Sequence, residues 1–433
     1  MRPAPKARQL WVSDGKPVGQ PLAIGGVVVG EVTENRDLFV VGIDPVTGKE
    51  LWRAAASPGE VVPGIAVAPV EAGDKVAFFR RDPAGNLYAR LVVADGRTGD
   101  EVASTGPLLF GSPPEQCPDS DDVCTLSRTG YDKPYQTHRL NVATGRYVAE
   151  KTGLPPRARR IGTAGLVDFG QRDPEIIGLV RKGKLRWRTP LRDAFPAEGF
   201  STDNGWNWQL FPDEKVYAGS VYGKRTGSYG KTDVVVSLEA AATAGLSEEN
   251  GALLWTDAGS DISCTGKKAP ARCRSKGTLT ISPKLDRTFT GLDVTVEGFD
   301  VRTGRTTWSV PVGAAEGLVG AKTAAPTAGD TEIIVRTASG PLLLDVNTGR
   351  QRAPGADEIF WCGTRLDFEY REPYFSKGVA IYQRAGERAV TCNAAGDPVA
   401  GSPTVAATTA TGAHVGPYAV VATETGFVGY SLA

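Results

Sequence analysis

Short apolar runs alternate with polar, glycine-bearing turns along the whole chain. "DLFVVGIDPVTGKELW", Asp37 to Trp52, shows the unit: an apolar run to Asp44, a turn carrying Thr47 and Gly48, and a second short run ending in Trp52. Runs of this length bounded by turn residues predict β-strands, and the three-to-five-residue reverse predicts a hairpin. Asp accepts hydrogen bonds from the backbone two residues on, and Gly supplies the positive φ that closes such a loop. "GFDVRTGRTTW", Gly298 to Trp308, repeats the same spacing of Asp, Thr, Gly and Trp. A phrase that returns after hundreds of residues marks an architectural joint more naturally than an active site.

Eroded copies fill the interval. Asp95, Thr98 and Gly99 carry one, Asn141, Thr144 and Gly145 another, and Asp345, Thr348 and Gly349 a third. Gly183 with Trp187 and Gly251 with Trp255 keep the glycine and tryptophan without the Asp, and the copy at Gly396 is weaker still. Short strands such as "KVAFFRR" and "EIIVRT" precede these hairpins, so the unit is a meander of about forty to seventy residues. Small twisted sheets of this kind bury their faces against the next sheet, which predicts a β-propeller. The N-terminal "RQLWV", with Trp11, is an orphan last strand, and the C-terminal strands lack a partner after Ser431. Pairing residues 8–12 with 418–432 would satisfy both ends and close the ring. The expectation is an all-β fold, residues 1–433 forming a single β-propeller domain of four-stranded antiparallel blades.

Composition narrows the setting. Lys+Arg 49 balances Asp+Glu 49, which gives no field for nucleic acid or anionic lipid. The cysteines fall as near neighbours, Cys117 with Cys124, Cys264 with Cys273, and Cys362 with Cys392. Local disulfides are the expectation; the rival, a zinc site, lacks any Cys-x-x-Cys and has only His138 and His414 to draw on. Disulfides imply an oxidising, extracytoplasmic compartment. "MRPAPKARQLW" has a basic start but no apolar core, so the natural precursor is expected to carry a signal or membrane anchor ahead of Met1.

Asp-x-x-Thr-Gly-x-x-x-Trp after an apolar strand resembles the tryptophan-docking repeat of the PQQ-type (quinoprotein-like) β-propellers. That family includes quinoprotein alcohol dehydrogenases and non-enzymatic BamB-type envelope assembly lipoproteins, and the resemblance runs over nearly the whole chain. It implies that Trp11, Trp52, Trp187, Trp255 and Trp308 dock between blades rather than touch a ligand. It also implies eight blades, against nine candidate repeats counted along the sequence.

Chemistry is sparse. Quinoprotein dehydrogenases resembling this repeat often carry adjacent cysteines over the cofactor, and no two cysteines are neighbours here. Nor does an Asp/Glu/Asn set for a calcium-type cage cluster in the sequence, so no catalytic, cofactor-binding or metal-binding residue is assigned. "GSYGKTD" lacks the first glycine of a phosphate loop, Arg225 standing there instead. The acidic "PDSDDV" (Asp119, Asp121, Asp122) reads as a solvated loop, and His138 as a surface strand residue. Aromatics in the long connections stand out: Trp206 and Trp208 in "STDNGWNWQLF", and Phe360, Trp361, Phe368, Tyr370, Tyr374 and Phe375. Trp206 or Trp208 as an apolar anchor, with Lys224, Arg225 and Lys231 as a charged rim, are expected to share one face and contact a protein or glycan. The sequence thus points to a non-catalytic binding scaffold of a bacterial cell envelope, held to the membrane only through the missing anchor. A PQQ- or calcium-dependent oxidoreductase and a ligand-sensing ectodomain are the alternatives.

Overall fold

The repeat builds its hairpin from the carboxylate outward. In the computed structural model Asp44 Oδ1 accepts the backbone N–H groups of Val46 and Thr47 at 2.8 and 2.9 Å. Asp95 does the same with Arg97 and Thr98, as do Asp300 with Arg302 and Thr303 and Asp345 with Asn347 and Thr348. The glycine then turns the chain with positive φ, +74° at Gly48 and +76° at Gly99. The returning strand is not regular. Gly42 pairs with Trp52 and Ile43 with Glu50, so Leu51 is the extra residue of a β-bulge. Val102, Leu254 and Thr307 occupy the same bulged position in their sheets. A bulge bends the strand and re-aims the next side chain. After Leu51, Leu254 and Thr307 the re-aimed residue is the tryptophan, and after Val102 it is Ala103.

The structure describes residues 4–432 apart from 35–36, 57–68, 83–87, 118–119, 131, 134, 150–158, 162–164, 170–174, 182–183, 196–199, 229, 267–268, 285, 320–327, 330, 363–367, 372–379, 384–390 and 424. The fold is an all-β propeller of eight antiparallel blades. Its described residues give eight sheets of three to five strands and a ninth of only two. The chain divides into two compact units, residues 1–150 with 357–433, and residues 151–356.

In the first unit, blade 1 is Lys16–Ile24, Val27–Glu34, Asp37–Ile43 and Glu50–Ala56, and blade 2 is Val70–Ala72, Lys75–Arg81, Ala89–Asp95 and Glu101–Ser104. Blade 3 is built on Leu109–Phe110, Val123–Arg128, Gln136–Leu140 and Tyr147–Ala149. Blade 8 joins the chain ends: Arg8–Val12 lies antiparallel to Phe427–Ser431, with Tyr418–Ala422 and Ala413–Val415 beyond. Ser13 fastens the junction, its N–H donating to Phe427 O at 2.8 Å and its Oγ accepting from Phe427 N at 3.0 Å. Around the copy at Gly396 the described residues do not make up a full blade. Near it the described residues give only isolated bridges at Phe360, Cys392 and Pro398 and the two-stranded sheet Phe368–Arg371 with Ala380–Gln383. The disulfide Cys362–Cys392 closes this segment, and Cys117–Cys124 staples a loop of blade 3.

In the second unit, blade 4 is Arg159–Ile161, Leu166–Asp168, Ile176–Arg181 and Lys184–Pro190, and blade 7 is Glu332–Thr337, Gly340–Asp345 and Gln351–Arg352. The two blades between them are interlocked. Blade 5 is Ser201–Phe211, Val216–Tyr222, Ala241–Ser247 and Leu253–Ala258. Residues 223–240, between its second and third strands, leave it and contribute Val234–Ser237 to blade 6 as the strand beside Ala271–Ile281. Arg287–Phe299 and Thr306–Gly313 complete blade 6.

Within each unit, the tryptophan of one blade lies on the turn glycine of the next. A Cβ on Gly99 would sit 2.6 Å from the Trp52 ring, and one on Gly304 equally close to Trp255. Trp11 lies on Gly48, Trp187 on Gly251 and Trp308 on Gly349. Each indole Nε1 donates to a carbonyl of that same turn: Trp11 to Pro45 at 3.0 Å, Trp52 to Gly96 at 3.1 Å, Trp187 to Glu248 and Trp255 to Val301 at 2.8 Å, and Trp308 to Asn347 at 3.3 Å. The other side of four of these rings covers a glycine of its own sheet, Gly429, Gly42, Gly245 and Gly298, where any Cβ would overlap the indole. Trp52, Trp187 and Trp255 are buried, whereas Trp11 and Trp308 are half-buried. Trp308 sits on an edge strand whose neighbours Thr306, Thr307 and Ser309 are exposed, so solvent reaches part of the ring.

Deleting residues through Ser13 removes both the strand beside Phe427–Ser431 and the Trp11 contact, leaving an unpaired edge. The truncated protein should melt well below the parent and aggregate, whereas an unchanged melting curve would mean that the terminal strand does not support blade 8. Glu31, 1% exposed in blade 1, has Oε2 without a hydrogen-bond partner among the described residues, and burial raises its pKa to about 8. The folded protein therefore holds this proton more tightly than the unfolded chain, and stability falls as pH rises from about 4.5 to about 8. Backbone and Thr47 donors lower the pKa of Asp44, and Thr303 that of Asp300, so their stabilisation is lost instead as pH falls below 3.8. Glu31→Gln should flatten the loss that accompanies rising pH, on the order of 5 kcal/mol, in denaturation curves across pH 4.5 to 8.

Candidate functional site

Residues 223–240 exceed what a hairpin between two adjacent strands needs, and the second unit's polar cavity forms beside them. At the blade 5 end of this connection Ser201 pairs with Tyr222, with a bulge before Trp206 pairs with Val221. The start of the first strand and the start of the connection thus emerge at the same end of the sheet, where Asn204 Nδ2 donates to Tyr222 O at 3.2 Å. Lys224, Arg225 and Lys231 are all exposed. A tight turn holds Lys231: its N–H donates to Ser228 O at 3.1 Å, and Ser228 N donates to Thr232 Oγ1 at 2.9 Å.

The tryptophans expected to anchor a partner are strand residues of Ser201–Phe211, not loop residues. Trp208 is 8% exposed, packs edge-on to Phe195 at 6.1 Å, and covers Gly219, where a Cβ would overlap its ring. Its role as an anchor is corrected for that reason, because the ring already fills the core of blade 5. Trp206 is half-buried against the same core and keeps some surface. Of the other aromatics, Phe360 and Trp361 are buried, while the side chains of Phe368 and Tyr370, and Tyr374 and Phe375 altogether, lie outside the described residues, as do Asp119 and Gly183.

The cavity has a volume of about 570 Å³ and is walled by both blades 5 and 6. Its polar wall is a chain of groups: Tyr222 OH lies 3.1 Å from Ser263 Oγ, which donates to Asp261 Oδ2 at 2.8 Å, while Ser263 N donates to Asp261 Oδ1 at 2.8 Å. Burial, together with the Asp261 charge, pushes the Tyr222 phenol above its ordinary range. Val236 and Leu238 from the exchanged segment, with Leu279, Leu318 and Val319, form the apolar wall, and the disulfide Cys264–Cys273 borders it. No Lys, Arg or His is among the described lining residues. The nearby arginines are engaged elsewhere. Arg274 contacts Asp257 at 2.8 Å and Glu297 at 3.3 Å, and buried Arg272 contacts the same two carboxylates at 3.4 and 3.1 Å.

The rest of the candidate chemistry resolves into packing. His138 is not a plain surface residue: it stacks on Tyr147 at 4.9 Å, and Ser127 Oγ lies 2.9 Å from its Nδ1. Ser127 is wholly buried, so the pair presents no exposed nucleophile. Asp122 is not solvated, since it accepts from Val142 N at 3.1 Å and Asn141 Nδ2 at 3.2 Å. Among the described residues no three His, Cys, Asp or Glu side chains gather as a metal site, and no helix is long and apolar enough to cross a membrane.

Among curated proteins, none matches the chain. Solved structures similar to it include BamB from Moraxella catarrhalis, at 12% identity over 97% of this chain and 99% of that one, with a TM-score of 0.40. A europium-containing methanol dehydrogenase is similar at 11% identity, 84% of each chain and a TM-score of 0.37. The quinohemoprotein alcohol dehydrogenase of Comamonas testosteroni is similar at 13% identity, over 98% of this chain and 76% of that one, with a TM-score of 0.34. A family model described as outer membrane protein assembly factor BamB matches residues 138–361. With more than half of its length matched and its tryptophans docked blade to blade, the chain belongs to that PQQ-like propeller family.

Proposed function

We propose that residues 1–433 act as one non-catalytic binding scaffold on the outer side of a bacterial plasma membrane, contacting a protein or glycan of the cell envelope. The observation that carries this reading is where the polar groups go. Where the repeats keep their Asp, Thr, Gly and Trp, these are consumed in turns and blade contacts, while the chain adds residues 223–240 with an exposed cationic rim. Elaborated surface segments on a rigid scaffold are where binding residues concentrate. Family membership supports a protein partner in general terms, and three disulfides support an oxidising compartment.

The partner-facing set is Lys224, Arg225 and Lys231, with the exposed part of Trp206 beside them. Exposed substitutions away from packing shift stability by about 0.5 kcal/mol or less, so Lys224→Glu, Arg225→Glu and Lys231→Glu together should leave melting nearly unchanged. Capture of the native partner from detergent-solubilised envelope should fall about tenfold, and wild-type capture should weaken with salt. Undiminished capture by the folded triple variant would remove this surface from the account.

A further inference from the structure

The cavity of blades 5 and 6 differs in charge from the exposed cationic residues of the 223–240 segment, its charged lining residue, among those described, being a carboxylate. Its carboxylate, Asp261, is half-buried and accepts two hydrogen bonds from Ser263, which leaves acceptor capacity unused. The two arginines nearest in sequence to its strand partner Cys273 are committed to Asp257 and Glu297. With no basic side chain among the described lining residues, the Asp261 carboxylate is a negative charge that no described lining residue offsets. The Tyr222 and Ser263 hydroxyls and the aliphatic Val236, Leu279, Leu318 and Val319 line the same cavity. A volume of about 570 Å³ lies within the usual range for small-molecule sites, which are mostly apolar with a few convergent polar groups.

We infer that this cavity binds a small organic cation, a protonated amine joined to an apolar body, with the ammonium donating to Asp261 and the hydroxyls and the body lying against the aliphatic wall. An ammonium supplies the hydrogen-bond donors that the Asp261 carboxylate accepts and neutralises its charge. An anion meets the Asp261 carboxylate, which keeps its negative charge while accepting from Ser263, and is repelled. Tyr222 is the sole aromatic among the described lining residues, so the site offers little of the flat stacking surface that a sugar ring uses. The blade exchange gives the site its shape, because Val236, Ser237 and Leu238 reach it only by leaving blade 5 for blade 6.

The test uses three probes of nearly one shape, phenethylammonium, phenethyl alcohol and phenylacetate, titrated by ligand-observed NMR against the whole protein at neutral pH. Phenethylammonium should bind saturably, phenethyl alcohol about tenfold more weakly, as expected for loss of a charge-assisted hydrogen bond, and phenylacetate more weakly still. Asp261→Asn keeps an acceptor for Ser263 N and should bring the ammonium down to the level of the alcohol without changing the alcohol. Tyr222→Phe, which keeps the ring, should weaken the ammonium to a smaller extent. Failure of phenethylammonium to saturate, equal binding of the three probes to the unaltered protein, or undiminished ammonium binding by folded Asp261→Asn would each overturn the inference. Capture of the envelope partner by Asp261→Asn should remain at the wild-type level, so failure here and failure of the scaffold reading are separately visible.

Discussion

An indole laid across two glycines is the contact on which the rest of this protein depends. Trp52 covers Gly42 of its own sheet and Gly99 of the following blade, and its N–H reaches the Gly96 carbonyl of the same turn. The contact asks for a positive φ and no Cβ at the turn, no Cβ in the sheet beneath the ring, and a bulge before the ring to aim it. Burial of the large ring adds the apolar term, and the single directed N–H fixes where the ring sits. Each element of the motif therefore answers to the next blade as much as to its own hairpin.

That dual duty explains what the sequence made legible. Asp, Thr, Gly and Trp have local physical reasons to stand at fixed offsets, so five docking positions could be marked, including Trp187 and Trp255 where the Asp is missing. The pairing of Arg8–Val12 with Phe427–Ser431 was legible because an orphan strand at each end calls for a partner. The pairs Cys117–Cys124 and Cys264–Cys273 were legible because short loops close easily. Hydrophobic periodicity near Gly396 was too weak to separate a blade from a stapled segment, and the structure gives no full blade there among the described residues.

The site was far less legible. "STDNGWNWQLF" reads as a connection because polar and glycine residues surround its tryptophans, yet it is a bulged strand whose Trp208 needs the bare face of Gly219. Nothing local in "DVVVS" says that Val234–Ser237 will join the next blade rather than its own, since strand identity there is decided by the partner strand Ala271–Ile281. The cavity inherits that difficulty: Tyr222, Val236 and Asp261 converge only after the exchange. Their chemistry, a carboxylate with hydroxyls beside aliphatic walls, is spread over sequence that carries no motif.

The central claim is that the tryptophan and the following blade's glycine form one energetic unit. A double-mutant cycle on Trp52→Ala and Gly99→Ala, read by equilibrium denaturation, tests it most directly. With the indole present, Gly99→Ala must pay for both the positive φ and the overlap with the ring; with the indole gone, only the φ cost remains, about 1 kcal/mol. The account predicts that Gly99→Ala is at least about 1 kcal/mol less destabilising in the Trp52→Ala background than in the parent. Equal costs in the two backgrounds would contradict it.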